Sequence, residues 1–154
     1  MSKAGKKQTG SLIARKSAAR LLAVQAVYQM HKNEQSSKEV VREYLDHRIG
    51  MEIDGDQMVP ADEQDFSSIV QGVEEHFDQL QSMVLKNRNQ DLVTNEPLLN
   101  AVFLCGALEL MMRQDIDFPI IISDYVHVAQ SFFDEGESKL VNAVLDSIRK
   151  TVRS

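Results

Sequence analysis

ARKSAARLLAVQAVYQMHK, residues 14–32, is the stretch whose reading decides the fold. Ala19, Ala23, Ala26, Val27 and Met30 recur at spacings of three and four, the period of a helix that buries one stripe. The pattern predicts a first helix over about residues 13–31, ending near His31-Lys32-Asn33, where cations suit the negative end of the helix dipole. Lys16, Arg20, Val24 and Tyr28 lie four apart and form a neighbouring ridge, with two cations at its start and a ring at its end. On such a ridge a cation can meet a phosphate and a ring can meet a base. The plainer alternative for the same spacing is that Lys16 and Arg20 are solvated and Tyr28 is half-buried core with its hydroxyl at the rim.

Outward from this helix the helical period continues. The chain has only seven glycines and three prolines in 154 residues, and no stretch alternates like a strand between turn pairs. Ser36 or Ser37 caps a second helix that carries Val40, Val41, Tyr44 and Leu45 to about Arg48, and Gly50 stops it. Residues 50–60, GMEIDGDQMVP, read as a loop. A long third helix is expected from about Ala61 through Val84, with Phe66, Ile69, Val73, Phe77 and Leu80 on one face. Thr94 or Asn95 should cap the next helix, residues 96–114, which is apolar on nearly every side and so belongs at the centre of the fold. Two more follow, from Phe118-Pro119 to about Phe133 and from the acidic turn at Asp134–Ser138 onward. The sum is an all-α bundle of about six to seven helices. Residues 1–12 are expected to form a flexible basic tail and residues 13–154 a single helical domain.

The charge is distributed unevenly. Of 17 Lys and Arg, seven (Lys3, Lys6, Lys7, Arg15, Lys16, Arg20, Lys32) fall in the first 33 residues, which hold no acid. The remainder carries ten bases against all 23 acids, a net of −13, although the whole chain stands at −6. Positive charge concentrated at one end, against the sign of the average, points to a polyanion as partner. The lone Cys105 lies in an apolar run and reads as a buried free thiol in a reducing compartment. Glu109 and Arg113 interrupt that run before it could span a membrane, and no signal-like apolar core follows the basic start. These features predict a cytoplasmic protein that does not enter a membrane.

Motifs for catalysis are missing. There is no glycine-rich phosphate loop, nucleophile elbow or paired-cysteine zinc spacing. Glu74-Glu75-His76 with Asp78 points its ligands in different directions around a helix, so no metal site is expected. Asp124 and His127, three apart, suit a surface hydrogen bond better than catalysis. A binding module without cofactor, rather than an enzyme, is the expectation.

The residues also resemble a known family. Ala19–Met30, ARLLAVQAVYQM, is similar to the opening helix of the NusB family, where a basic stretch precedes an A-V-Q-A-L-Y run. The second half adds Glu109-Leu110, Pro119, Ile122–Val126, Ala129–Phe132, Lys139 and the run Val141–Asp146, VNAVLD, beside the family's E-L, P, I-N-E-A-V, L-A-K-x-F and K-F-V-N-G-V-L-D. Asp65 and IVQGV at residues 69–73 fall where the family has a Gly-Val step, so the resemblance covers about residues 14–150.

That resemblance implies two perpendicular three-helix sub-bundles and a non-enzymatic role. The implied role is to bind boxA-type single-stranded RNA with the ribosomal protein NusE, and to join other Nus factors and RNA polymerase in suppressing termination, notably on ribosomal RNA operons. Carried over by position, Arg15, Lys16 and Arg20 match the family's arginine-rich helix start, Tyr28 its tyrosine, and Lys139 and Leu140 its Lys-Phe step near RNA. Leu140 replaces an aromatic and so loses base stacking there. Ser123-Asp124 stands for Asn-Glu, and Leu104–Leu108 lacks the Arg and Tyr that relatives often carry, which leaves the NusE groove undefined. A protein adaptor with an acidic partner, or a relative of the helical domain of RNA cytosine methyltransferases, are the other readings of the same chain. Apolar faces on the third or central helix could also serve a homodimer.

Overall fold

Ser11 starts the fold: its Oγ accepts a hydrogen bond from the Ala14 amide at 2.9 Å and relieves one of the orphan donors of the first turn. The computed structural model describes residues 11–47, 52–53, 56–57, 60–88 and 96–153. Seven helices occur among them: α1 (Leu12–Lys32), α2 (Ser37–His47), α3 (Glu63–Glu75), α4 (Phe77–Asn87), α5 (Pro97–Met112), α6 (Phe118–Gln130) and α7 (Glu135–Val152). A two-residue antiparallel ladder joins β1 (Glu52–Ile53) to β2 (Asp56–Gln57), within the stretch expected to be loop. Ser11 and Leu12, assigned above to the tail, cap and begin α1, whereas Lys3, Lys6, Lys7, Gly50, Thr94 and Asn95 lie outside the described residues.

The turn from α1 to α2 is tight. The Gln35 amide reaches back to the Met30 carbonyl at 2.9 Å, and the intervening Glu34 adopts φ 53°, a left-handed conformation that ordinarily falls to glycine. Ser36 and Glu39 then form a reciprocal cap on α2, with the Ser36 amide donating to Glu39 Oε1 at 3.0 Å and the Glu39 amide donating to Ser36 Oγ at 3.2 Å. Two hydrogen bonds from the Ser36 side are enough to hold the Glu39 carboxyl below its usual range.

The expected long third helix is two helices. His76 leaves helical geometry at φ −110°, and the chain resumes as α4. Three-and-four spacing persists across the break because both halves bury a face; they share α5 as a neighbour, but α3 otherwise packs on α1 and α2, and α4 on α7. The groups that result are α1–α2–α3 and α4–α5–α6–α7, joined where α1 meets α5 and α6 and where α3 meets α5.

Helix α5 is the centre, as its all-round apolarity predicts, with every residue from Ala101 to Leu110 buried. Its cap is Glu96, whose carboxylate accepts from the Leu98 amide at 3.3 Å. Gly106 permits close approach of α7, since a Cβ there would stand 2.7 Å from a Leu145 methyl. At the other end of α5, Arg153 closes the exit from the helix. Its guanidinium donates to the carbonyls of Leu110 at 2.8 Å, Arg113 and Ile116 at 2.6 Å and Glu109 at 3.3 Å. Cys105 is a fully buried free thiol, pushed up from its ordinary pKa by burial and by the neighbouring Glu109 charge.

Candidate nucleic-acid interface

The first turns of α1 carry three of the six residues expected to meet RNA, and the structure gives each a different environment. Arg15 is half-buried, with its Nε shielded from solvent and without a hydrogen-bond partner, and among the described residues no carboxylate pairs with it. Lys16 is also half-buried, its Nζ 2.7 Å from Asp65 Oδ2 of α3. Arg20 is only 4 % exposed, because α1 is covered on that side by α5 and α6.

Arg20 anchors a buried polar network. Its Nε and one terminal nitrogen donate to both oxygens of Glu109 at 2.7 and 3.0 Å, a bidentate pair, and the other donates to Asp124 Oδ2 at 2.7 Å. Ser17 Oγ donates to the same Asp124 oxygen at 3.0 Å, and the Tyr125 hydroxyl to Glu109 Oε2 at 2.5 Å. Burial works against the Arg20 charge, but the bond to Glu109 and the attraction of its carboxylate outweigh it, so the guanidinium is held more firmly protonated than usual. Burial, then the Glu109 carboxylate, drive the Tyr125 hydroxyl well above its ordinary pKa and keep it a donor.

Placing Arg20 on the RNA-facing ridge is therefore corrected. Val24, the next residue of that ridge, is also buried, with 0 % exposure, so the stripe of α1 that faces protein is wider than the alanine spacing suggests. Asp124 turns toward α1 and bonds Arg20 and Ser17 in place of the expected surface partner His127. The lone acid in an apolar helix was the readable signal, since a buried carboxylate needs a partner; the base four residues on, Arg113, goes to Asp65 instead.

Asp65 holds a second, separate cluster nearer the surface. It also lies 3.4 Å from Arg113, the residue that follows α5, so one carboxylate serves cations from two helices. Burial raises the Asp65 pKa, yet Lys16 and Arg113 together overcome this and hold the carboxyl below its usual range.

The other three expected residues lie elsewhere. Because Arg20 meets Glu109 while Lys16 and Arg113 share Asp65, α1 runs antiparallel to α5. Tyr28, twelve residues beyond Lys16 and so roughly 18 Å along the axis, stands toward the opposite end of α5. Its ring is half-buried against the core, with Lys32 Nζ 5.9 Å from its centroid. Helix α7 runs the same way as α5, with Leu145 at Gly106 and Arg153 at the α5 exit, and Lys139 and Leu140 lie in its opening turns. Lys139 is 74 % exposed and sits 3.2 Å from Glu135, and Leu140 is half-buried. The structure thus groups Arg15 with Lys16 at the start of α1, sets Tyr28 further along the same helix, and places Lys139 and Leu140 on α7.

Between α1 and α6 an open cleft of about 630 Å³ is walled by Ile13, Pro119 and Ile120 over a floor of Ser17, Arg20 and Asp124. Ile13 and Ile120 are well exposed, at 78 % and 56 %. No helix among the described residues is long and apolar enough to cross a membrane.

Comparison with known proteins agrees with the resemblance. The model of the NusB family matches residues 17–150. The transcription antitermination protein NusB of Rhizobium etli is 43% identical over 139 residues, 89% of this chain and 87% of that protein. Its counterpart in Bartonella henselae is 40% identical over 149 residues, 96% of this chain and 94% of that protein. Among solved structures, NusB of T. maritima superposes with a TM-score of 0.71 at 18% identity, covering 88% of this chain and 90% of that one. NusB from a complex of antitermination factors NusB and NusE with double-stranded RNA gives 0.73 at 20% identity, over 92% and 99% of the two chains. At such identity these two likenesses speak to the all-helical fold.

Proposed function

The chain belongs to the NusB family, and from that premise we propose that it is a transcription antitermination factor that binds boxA-type single-stranded RNA together with the ribosomal protein NusE. In this reading it works in the cytoplasm, joins other Nus factors on the elongating polymerase, and helps it read through terminators, notably in ribosomal RNA operons. It acts by binding and carries out no reaction of its own.

The observation that supports this best is the pair Arg15–Lys16 at the start of a helix whose next cation is locked inside. Bidentate pairing of Arg20 with Glu109 fixes the helix, so Arg15 and Lys16, about one turn earlier, are presented on a rigid element rather than a tail. Arg15 brings a guanidinium with no carboxylate partner among the described residues, suited to a phosphate. Arg15, Lys16 and Lys139 are the proposed phosphate contacts, Tyr28 and Leu140 the proposed base contacts, and Arg20 positions them. RNA affinity of the chain alone is expected to be weak and salt-sensitive, since few cations act beside a body of net −13. NusE supplies the remainder.

The test is a titration of labelled boxA RNA with the chain alone and premixed with NusE, at two salt concentrations, against a scrambled single strand and a duplex. The expected result is tight, sequence-dependent binding in the mixture, weakened by Arg15→Ala without change in melting temperature and by Lys16→Ala, which also gives up the ion pair with Asp65. Binding of NusE with no preference for boxA would replace this reading by that of a protein adaptor.

A further inference from the structure

Lys16 meets its carboxylate in an unusual setting. The Lys16, Asp65 and Arg113 side chains are 27 %, 15 % and 28 % exposed, so the cluster sits at the protein's edge rather than in its core. Lys16 is close, at 2.7 Å, and Arg113 stands off at 3.4 Å. Any phosphate that takes Lys16 must first displace Asp65, and stripping a half-buried carboxylate of its only cation would be costly. Here it is not the only one. Arg113 can close the remaining distance as Lys16 leaves, so the exchange does not strand the charge.

We infer that Asp65 is an internal competitor for the RNA backbone: it holds Lys16 in the free protein and releases it to a phosphate while Arg113 retains the carboxylate. This rests on the RNA reading above and adds a residue that sets how strongly an RNA must bind. The exchange lowers affinity for every RNA by the same factor. Complexes that depend on phosphate contacts alone then fall below occupancy, and those with base and partner contacts persist. Depression of the Asp65 pKa is consistent with a competitor that stays ionised at neutral pH.

The experiment uses the full chain with NusE, labelled boxA RNA and a scrambled strand, at two salt concentrations. Asp65→Asn should tighten both RNAs about five- to tenfold with an unchanged salt slope, because the same phosphates are met. In a Lys16→Ala background the same substitution should give no gain, which a double-mutant cycle reads directly. Glu63→Gln, an equal charge change at an exposed site on α3, should give less than twofold. On the unaltered protein, the Asp65 carboxyl carbon followed by NMR should titrate at higher pH in the RNA complex than free. A gain that survives loss of Lys16, or an Asp65 titration unmoved by RNA, would overturn the inference. Failure of the parent complex to bind either RNA would instead remove the RNA reading, and this one with it.

Discussion

Arg20 and Glu109 are 89 residues apart in sequence and share two hydrogen bonds, of 2.7 and 3.0 Å, in the interior. Removing one partner of such a pair leaves the other charge buried and uncompensated, at a cost of about 3–5 kcal/mol. Arg20→Ala should therefore lower stability by that amount in urea unfolding followed by circular dichroism. The double variant Arg20→Met, Glu109→Leu should recover only part of it, because Asp124 and the Tyr125 hydroxyl still lose their partners. An Arg20→Ala protein within 1 kcal/mol of the parent would sink this account and return Arg20 to the surface.

Glu34 offers a gain. With φ at 53° it holds the left-handed position of a helix C-terminal cap, where glycine has no steric penalty. Glu34→Gly should raise stability by about 0.5–1 kcal/mol, the relief of strain exceeding the added freedom of the unfolded chain. A fall in melting temperature would show that the Glu34 side chain has a favourable role there.

Asp65 should carry a pH signature. Its carboxyl pKa is lower folded than unfolded, so its contribution is complete above the unfolded value, about 3.9, and is lost as pH falls through the folded one. The parent should exceed Asp65→Asn by about 1–2 kcal/mol near neutrality. That gap should hold down to about pH 5 and close in stronger acid. A gap of constant size down to pH 2 would mean that the charge of Asp65 is not what stabilises the fold.

Leu140 is half-buried on the first turns of α7, beside the exposed Lys139. If a base is met there, Leu140→Phe restores a stacking surface worth about 1–3 kcal/mol and should tighten boxA binding at least fivefold in the NusE mixture. Equal affinity for the two proteins, with the fold intact, would place the bases elsewhere.

Much of this architecture was legible in the residues. Helix α5 was, because a segment apolar on every side can only be central, and the buried face of α1 followed from its alanines. The break at His76 was not, since periodicity reports that a face is buried and not which neighbour buries it. The same blindness misplaced Arg20. A spacing of four puts Lys16 and Arg20 on one ridge, but whether a cation ends in water or against a carboxylate depends on residues 89 and 104 positions away.

Those separations also impose an order on how the protein comes into being. Helix α1 leaves the ribosome long before Glu109 and Asp124 do, with its alanine stripe open and Arg20 still in water. Asp65 of α3 can meet Lys16 earlier, but until α5 and α6 have followed, Arg20 has no partner and this end of α1 is only partly fixed. The segment synthesised earliest among the described helices is thus the last to be aimed, and a partially made chain cannot present the proposed RNA-binding end in its finished form.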